Sequence, residues 1–161
     1  MIRPITADDA AELAALLVEN HAFLAPYEPL RDERFYTVEG QQEQLAREGK
    51  HDFAILDRKR IVGTLQLSNI VHGPLQSANL GYWVAERVNG RGLATQAVGE
   101  LIPIAFGELG LHRLEAGTLV DNVASQRVLE KNGFERIGTA RGYLHIGGAW
   151  RDHVLFQLLA N

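Results

Sequence analysis

At 161 residues, 46% apolar and 22% charged, the chain has the size and composition of one domain around one substantial core, not of a disordered protein. With no cysteine it has neither a disulfide frame nor a thiol nucleophile, so acyl transfer through a cysteine is excluded. A formal charge of −4 gives no basic footprint for nucleic acid and mildly favours a cationic partner such as an amine. In chain order, Ile2 to Ile5 reads as a strand. Thr6 followed by Asp9 is a cap-like start to a helix carrying Leu13, Leu16 and Leu17. Acidic residues stand where a leader would be apolar, and no run approaches a membrane span, so a cytoplasmic protein is expected. Two prolines make Leu24 to Leu30 irregular, and a polar helix is expected around Val38 to Arg47.

A hairpin follows, from Phe53 to Asp57 and from Ile61 to Ile70 with its turn at Arg58-Lys59, then a loop from Val71 to Ser77. Leu80, Tyr82 and Val84 alternate with Gly81 and Trp83 in a strand pattern. From Ala94 the apolar residues Val98, Leu101, Ile102, Ala105 and Leu109 fall at helical spacing, with Pro103 predicting a kink or an early end. The remaining elements are a strand over Arg113 to Val120, a short helix from Asn122 to a C′ glycine at Gly133, and strands near Phe134 to Ala140 and His153 to Leu159. The pattern is α/β, in the order β-α-α-β-β-β-α-β-α-β-β, with no linker or repeat, so residues 1–161 read as a single domain.

The junction after the Leu80 to Val84 strand carries the most chemical information. Gly90 and Gly92 open a helix, and glycine lets backbone approach a ligand while the free N–H groups of the first turn present the positive end of the helix dipole. That arrangement favours a phosphate, although a glycine pair between strand and helix also serves as an ordinary turn. A dinucleotide fingerprint does not fit, because the third glycine is missing and the strand lies mid-chain. A Walker loop does not fit either, because no Gly-Lys-Ser/Thr ending is present.

The run Asn89-Gly90-Arg91-Gly92-Leu93-Ala94 resembles the Q/R-x-x-G-x-G/A signature of the GNAT superfamily of acyl-CoA N-acyltransferases, with Asn in the first place. Downstream, Asn122-Val123-Ala124-Ser125 and Glu130-Lys131-Asn132-Gly133-Phe134 also resemble that superfamily, in the same order. Within it the chain is most similar to ribosomal-protein N-terminal acetyltransferases of the RimJ/RimL type, through Asn20 to Pro29, Leu80 to Val84, the glycine loop, Gly110 to Ala116 and Asn122 to Phe134. The resemblance implies a GNAT fold over essentially the whole chain. Such a fold has a single mixed, mostly antiparallel central sheet, splayed at the signature strand and flanked by about four helices.

It also implies acetyl-CoA as cosubstrate and direct transfer of the acetyl group to a primary amine. Backbone near Trp83, Val84 and Ala85 would bond the pantetheine amides. In a cofactor-binding loop of Asn89, Gly90, Arg91, Gly92, Leu93, Ala94 and Thr95, the backbone N–H groups from Arg91 to Thr95 would hold the pyrophosphate, with the Arg91 side chain available to a phosphate. Asn122 either bonds the pantetheine arm or caps its helix. Ser125 either protonates the leaving sulfur or bonds back to Asn122. A backbone N–H near Val84 would meet the oxyanion.

Phe23 and Tyr27 are expected to face substrate. Tyr82, with Glu28, is a further candidate to meet substrate, although Tyr82 and Trp83 point to opposite faces of their strand and at least one of them packs inward. Arg87 and Lys131 either assist phosphates or sit in water. The general base is open. RimL-type relatives place a Glu after the Asn-Gly-Phe motif, and Arg141-Gly142-Tyr143-Leu144-His145 has no carboxylate there. Glu28, Glu115, His145 and a water chain are the alternatives. The six histidines show no ligand spacing, so no metal is expected.

Three functions follow. The first is acetylation of a protein or peptide α-amine. The second is the same chemistry on a small amine such as a polyamine or aminoglycoside, and the third is a CoA-binding sensor without transfer. The sequence leaves the oligomeric state open; relatives of this type are often dimers, and in a homodimer the Tyr143 to Asp152 segment could contribute to the contact.

Overall fold

The computed structural model describes residues 1–161. Its elements are β1 (Ile2–Pro4), α1 (Ala10–Glu19), α2 (His21–Leu24), α3 (Val38–Leu45), β2 (His51–Asp57), β3 (Arg60–Val71), β4 (Ser77–Val84), α4 (Leu93–Pro103), β5 (Arg113–Leu119), α5 (Val123–Lys131), β6 (Glu135–Ile146) and β7 (Ala149–Leu159). The strands form one seven-stranded sheet in the order β1-β2-β3-β4-β5-β7-β6. Every pairing is antiparallel except β4 with β5. Five helices flank the sheet, α2 being a single turn.

Local chemistry accounts for most boundaries. The Asp9 carboxylate accepts from the Thr6 N–H at 2.8 Å and from both terminal nitrogens of Arg3, which holds Asp9 down at about 2. Arg58 and Lys59 both take positive φ, as a two-residue hairpin turn requires. Pro103 is the last residue of α4. It has no N–H to continue the ladder, and the chain leaves through a π turn over Ile104–Glu108, closed by the Leu109 N–H on the Ile104 carbonyl. The helical spacing as far as Leu109 therefore covers two segments.

The last two strands run well beyond Phe134 to Ala140 and His153 to Leu159, because β6 and β7 form a long hairpin as far as Ile146 and from Ala149. A register shift between Ala140 and Leu144, with Gly142 at positive φ, lets the pairing continue past a break in the alternation.

Alternation along the strands sorts side chains to two faces. Leu65, Leu80, Leu114 and Phe156 lie on one face, with Val98 and Leu101 of α4 and Leu129 of α5 in the main core. The other face is covered on one half by α1, where Leu13, Leu17 and Leu24 pack with Trp83. Asp52, Thr64, Gln66, Gly81, Gly117 and His153 share this second face by register.

Candidate active site

The sheet opens in its middle. β4 and β5 pair only at Ser77 with Arg113, Ala78 with Leu114 and Asn79 with Glu115, while on its other edge β4 stays paired with β3 as far as Val84. Alternate backbone groups of a strand point to opposite edges. The Ala85 N–H donates to the Val62 carbonyl at 2.7 Å, and the Trp83 carbonyl lies against Gly63. The gap therefore receives the backbone groups of Tyr82 and Val84. Of the three positions expected to offer backbone to a ligand, Val84 faces the gap, whereas Ala85 and Trp83 are turned toward β3.

The glycine loop lies at the open end. Gly90 and Gly92 adopt φ of +77° and +78°, with nothing within 4 Å of where a Cβ would stand. Gly92 is the left-handed N-cap of α4, whose first turn carries no acidic residue to offset its dipole. Asn89 folds back so that its Oδ1 accepts the Gly90 N–H at 3.1 Å. The Arg91 guanidinium is engaged rather than free, donating to Asp57 at 2.8 Å and holding that carboxyl below its usual range. Arg87 pairs with Glu19, and Lys131 is exposed at the end of α5. Asn132 donates to the Thr95 carbonyl at 3.1 Å, fastening the end of α5 to the start of α4.

On the inner side of the gap stand Tyr82 and Ser125. Asn122 caps α5, its Oδ1 accepting the Ser125 N–H at 3.2 Å, so the capping alternative is realised. The Tyr82 hydroxyl lies 2.7 Å from Ser125 Oγ and 3.1 Å from the Ser125 carbonyl. Burial pushes the Tyr82 phenol up to about 12, so it keeps its proton at neutral pH. Tyr82, expected against substrate, is thus first the partner of Ser125. Sequence reasoning missed this pairing, which joins a strand to a helix 43 residues away and has no local signature.

A cleft of about 540 Å³ runs from this pair through the gap to the second sheet face, lined there by Tyr27, Glu28, Arg31, Thr64, Gln66 and His153. A second cavity of about 450 Å³, bounded by Ser68, Asn79, Glu115 and Tyr143, shares Gln66, Gly81 and Gly117 with it, so the two form one groove. Burial raises the Glu28 carboxyl, opposed by the charges of Arg31 and His21. The Glu28 carbonyl accepts the Gly147 N–H at 3.0 Å, tying its loop to the β6–β7 turn.

Other expected site residues fall elsewhere. Phe23 packs with the α1 leucines rather than lining the cleft. His145 is exposed and meets Trp150 edge-on, away from the cleft. Glu115 is held by Arg113 at 2.8 Å and borders only the second cavity. No cluster of His, Cys, Asp or Glu has the geometry of a metal site.

A mixed sheet parted beside a glycine-opened helix is the architecture of a protein that takes a long phosphate-bearing ligand between two strands. Residues 1–135 match the acetyltransferase (GNAT) domain family, and the chain belongs to that family as an N-acetyltransferase. It is 40% identical to the probable N-acetyltransferase YjcK of Bacillus subtilis, over 98% of this chain and 92% of that protein. It superposes on the ribosomal-protein-S5-alanine acetyltransferase of Vibrio fischeri with a TM-score of 0.94 at 33% identity, covering 98% of this chain and 91% of that one. Mycobacterium smegmatis RimJ, solved in complex with CoA-disulfide, superposes with a TM-score of 0.90 at 33% identity over 99% and 81% of the two chains. No helix is long and apolar enough to cross a membrane.

Proposed function

We propose that the chain transfers an acetyl group from acetyl-CoA to the α-amine of a protein or peptide in the cytoplasm. The observation that carries this reading is the groove on the second sheet face. It is long, it meets the gap in the sheet, and its charges are mixed, with Arg31, Arg47 and Lys50 beside Glu28 and Asp52. A polyamine site calls for a closed acidic pocket, whereas here Lys50 neutralises Asp52 and two arginines stand beside Glu28. A peptide needs only one ammonium subsite and a polar trough for the following residues. The V. fischeri relative, whose name specifies an alanine of a ribosomal protein, supports the same choice.

The residues present fit acetyl-CoA. The cradle at Gly90 and Gly92 would hold its pyrophosphate on the α4 N–H groups, and the backbone of Tyr82 and Val84 its pantetheine arm. When bound, it supplies an activated acetyl thioester.

The chain's own residues supply the rest. The Val84 N–H is a fixed donor for the developing oxyanion. The single Tyr82 proton is shared between the Ser125 carbonyl and Ser125 Oγ; when it goes to Oγ, the serine proton can point into the gap toward the departing sulfur. A reference thiol titrates at roughly 8.5, so a hydroxyl with relayed water meets that demand. Glu28, at the mouth of the groove, attracts the acceptor ammonium.

CoA release across peptides with free Ala, Ser or Thr N-termini, a polyamine and an aminoglycoside tests the reading. Turnover of peptides alone is expected. Preference for a small amine overturns the acceptor assignment, and acetyl-CoA binding with no turnover overturns transfer.

A further inference from the structure

The general base has no owner among the residues considered from sequence, and resting on the acetyl-transfer reading above, the geometry assigns one. We infer that His153 takes the proton from the acceptor ammonium, and that Gly117 is the opening through which the amine reaches it.

His153 lies on β7 and is 4% exposed, yet it lines the cleft. Its Nδ1 stands 3.0 Å from the Arg151 carbonyl. A carbonyl oxygen only accepts, so in the neutral ring Nδ1 carries the proton and Nε2 bears the free lone pair. Nε2 has no protein partner, and no fully buried side-chain nitrogen or oxygen in the molecule lacks one, so Nε2 keeps some exposure, and the space that His153 lines is the cleft. The lone pair is therefore accessible without being spent.

The surroundings hold the ring and leave one side clear. The Tyr143 ring lies 5.5 Å away, centroid to centroid, at 57°. Across the β5–β7 seam, the position a Cβ would take at Gly117 is 3.7 Å from His153 Cδ2, the atom bonded to Nε2. Any side chain at 117 would stand beside that edge; glycine leaves it open. Gly117 is exposed and borders both cavities, so an amine arriving along the groove passes it.

The placement also separates the two proton transfers. By register His153 is on the groove face of the sheet, while Tyr82 and Ser125 are on the opposite face, with the gap between them. Acceptor and leaving group are thus served from opposite sides. The ammonium loses one proton to Nε2, its N–H pair becoming the attacking lone pair, and the imidazolium later returns that proton to solvent. As the C–N bond forms and the C–S bond breaks, the nitrogen's second excess proton passes to water, and the sulfur takes one from Ser125, which water reprotonates.

The titratable and charged groups bordering the same space are Tyr143 from β6, Tyr27, Glu28 and Arg31 from the loop after α2, Arg47 and Lys50 from the loop after α3, Asp52 from β2 and Tyr82 from β4, with Arg151 and Asp152 flanking on β7. A pH profile must be read with these in view. Replacing His153 by Gln should lower kcat with a peptide about 100-fold, in the range of general-base catalysis. Acetyl-CoA affinity should stay unchanged, and the part of the acid-side fall in kcat/KM that does not belong to the peptide amine should disappear.

Gly117→Ala is the second variant. Its methyl meets Leu155, His153 and Tyr143 at ordinary contact distances of 3.4, 3.7 and 3.8 Å, so it should fold while shielding the imidazole and lowering kcat in the same direction. Without turnover, ¹⁵N imidazole spectra should show the Nδ1–H tautomer and a shift of the Nε2 resonance when peptide is added. An Nε2–H tautomer, an unmoved resonance, or a His153→Gln enzyme with an unaltered kcat and profile overturns the assignment. A wild-type enzyme that acetylates only small amines overturns the peptide reading separately, and His153 is then judged on those amines.

Discussion

The two edges of β4 differ in a way that explains the molecule. Toward β3 the strand is paired to its end, and the fit is so close that a Cβ on Gly63 would collide with the backbone of Trp83 and Val84. Toward β5 the same strand is paired for one short stretch and then left open. An unpaired backbone group away from water costs about 1–3 kcal/mol, so an interior seam that parts must be compensated by water or by a ligand that bonds as a strand would. The closed edge sets the position of the open one.

The largest effect is expected at the open edge. Ser125→Ala should lower kcat about 100-fold, about 2.7 kcal/mol of transition-state stabilisation, with acceptor KM little changed. Tyr82→Phe should act in the same direction but more weakly, by about fivefold, since it removes one hydrogen bond worth about 1 kcal/mol. Steady-state kinetics on purified variants checks both, and equal losses would show that the two hydroxyls act as one unit.

The closed edge is broken by Gly63→Ala. Over-packing costs about 1–3 kcal/mol, so the urea midpoint should fall with an unchanged slope. If activity falls much further than stability at a temperature where the variant is folded, the seam controls the gap.

Two smaller changes sharpen the contrast. Asp57→Asn releases Arg91 from its surface pair, so CoA affinity should rise by up to about fivefold, less at high salt. Isothermal titration at two ionic strengths reads it. Glu28→Gln should produce a small rise in melting temperature at neutral pH. Burial raises the carboxyl, so the charged form burdens the folded state above that raised value, and the burden disappears as the pH falls below the unfolded one. The two proteins should therefore converge in acid, while the variant's peptide KM increases.

Much of the fold was legible because its punctuation is local. Thr6 with Asp9, Arg58-Lys59, Pro103, Asn122 and Gly133 each act within a few residues, and each marks a boundary in the structure. The far hairpin was shortened in the reading because the bulge near Gly142 breaks the alternation that identifies a strand. In the site, the glycine loop could be read for the same reason as the boundaries. The Arg91–Asp57 pair, the Tyr82–Ser125 bond and the lining role of His153 could not, since each depends on pairing between distant segments. His153 is one of six dispersed histidines, and only strand register distinguishes it.

The bond from the Gly147 N–H to the Glu28 carbonyl has a bearing on the order of assembly. The groove wall joins two segments far apart in the chain, and β7 must insert between β5 and β6, the strand made before it. Pairings so distant in sequence have a large loop-closure entropy and form slowly. A chain halted before β7 would already hold β4, the glycine loop and α4 but would lack the strand that carries His153 into the groove, so the groove is completed only once β7 has been made and inserted.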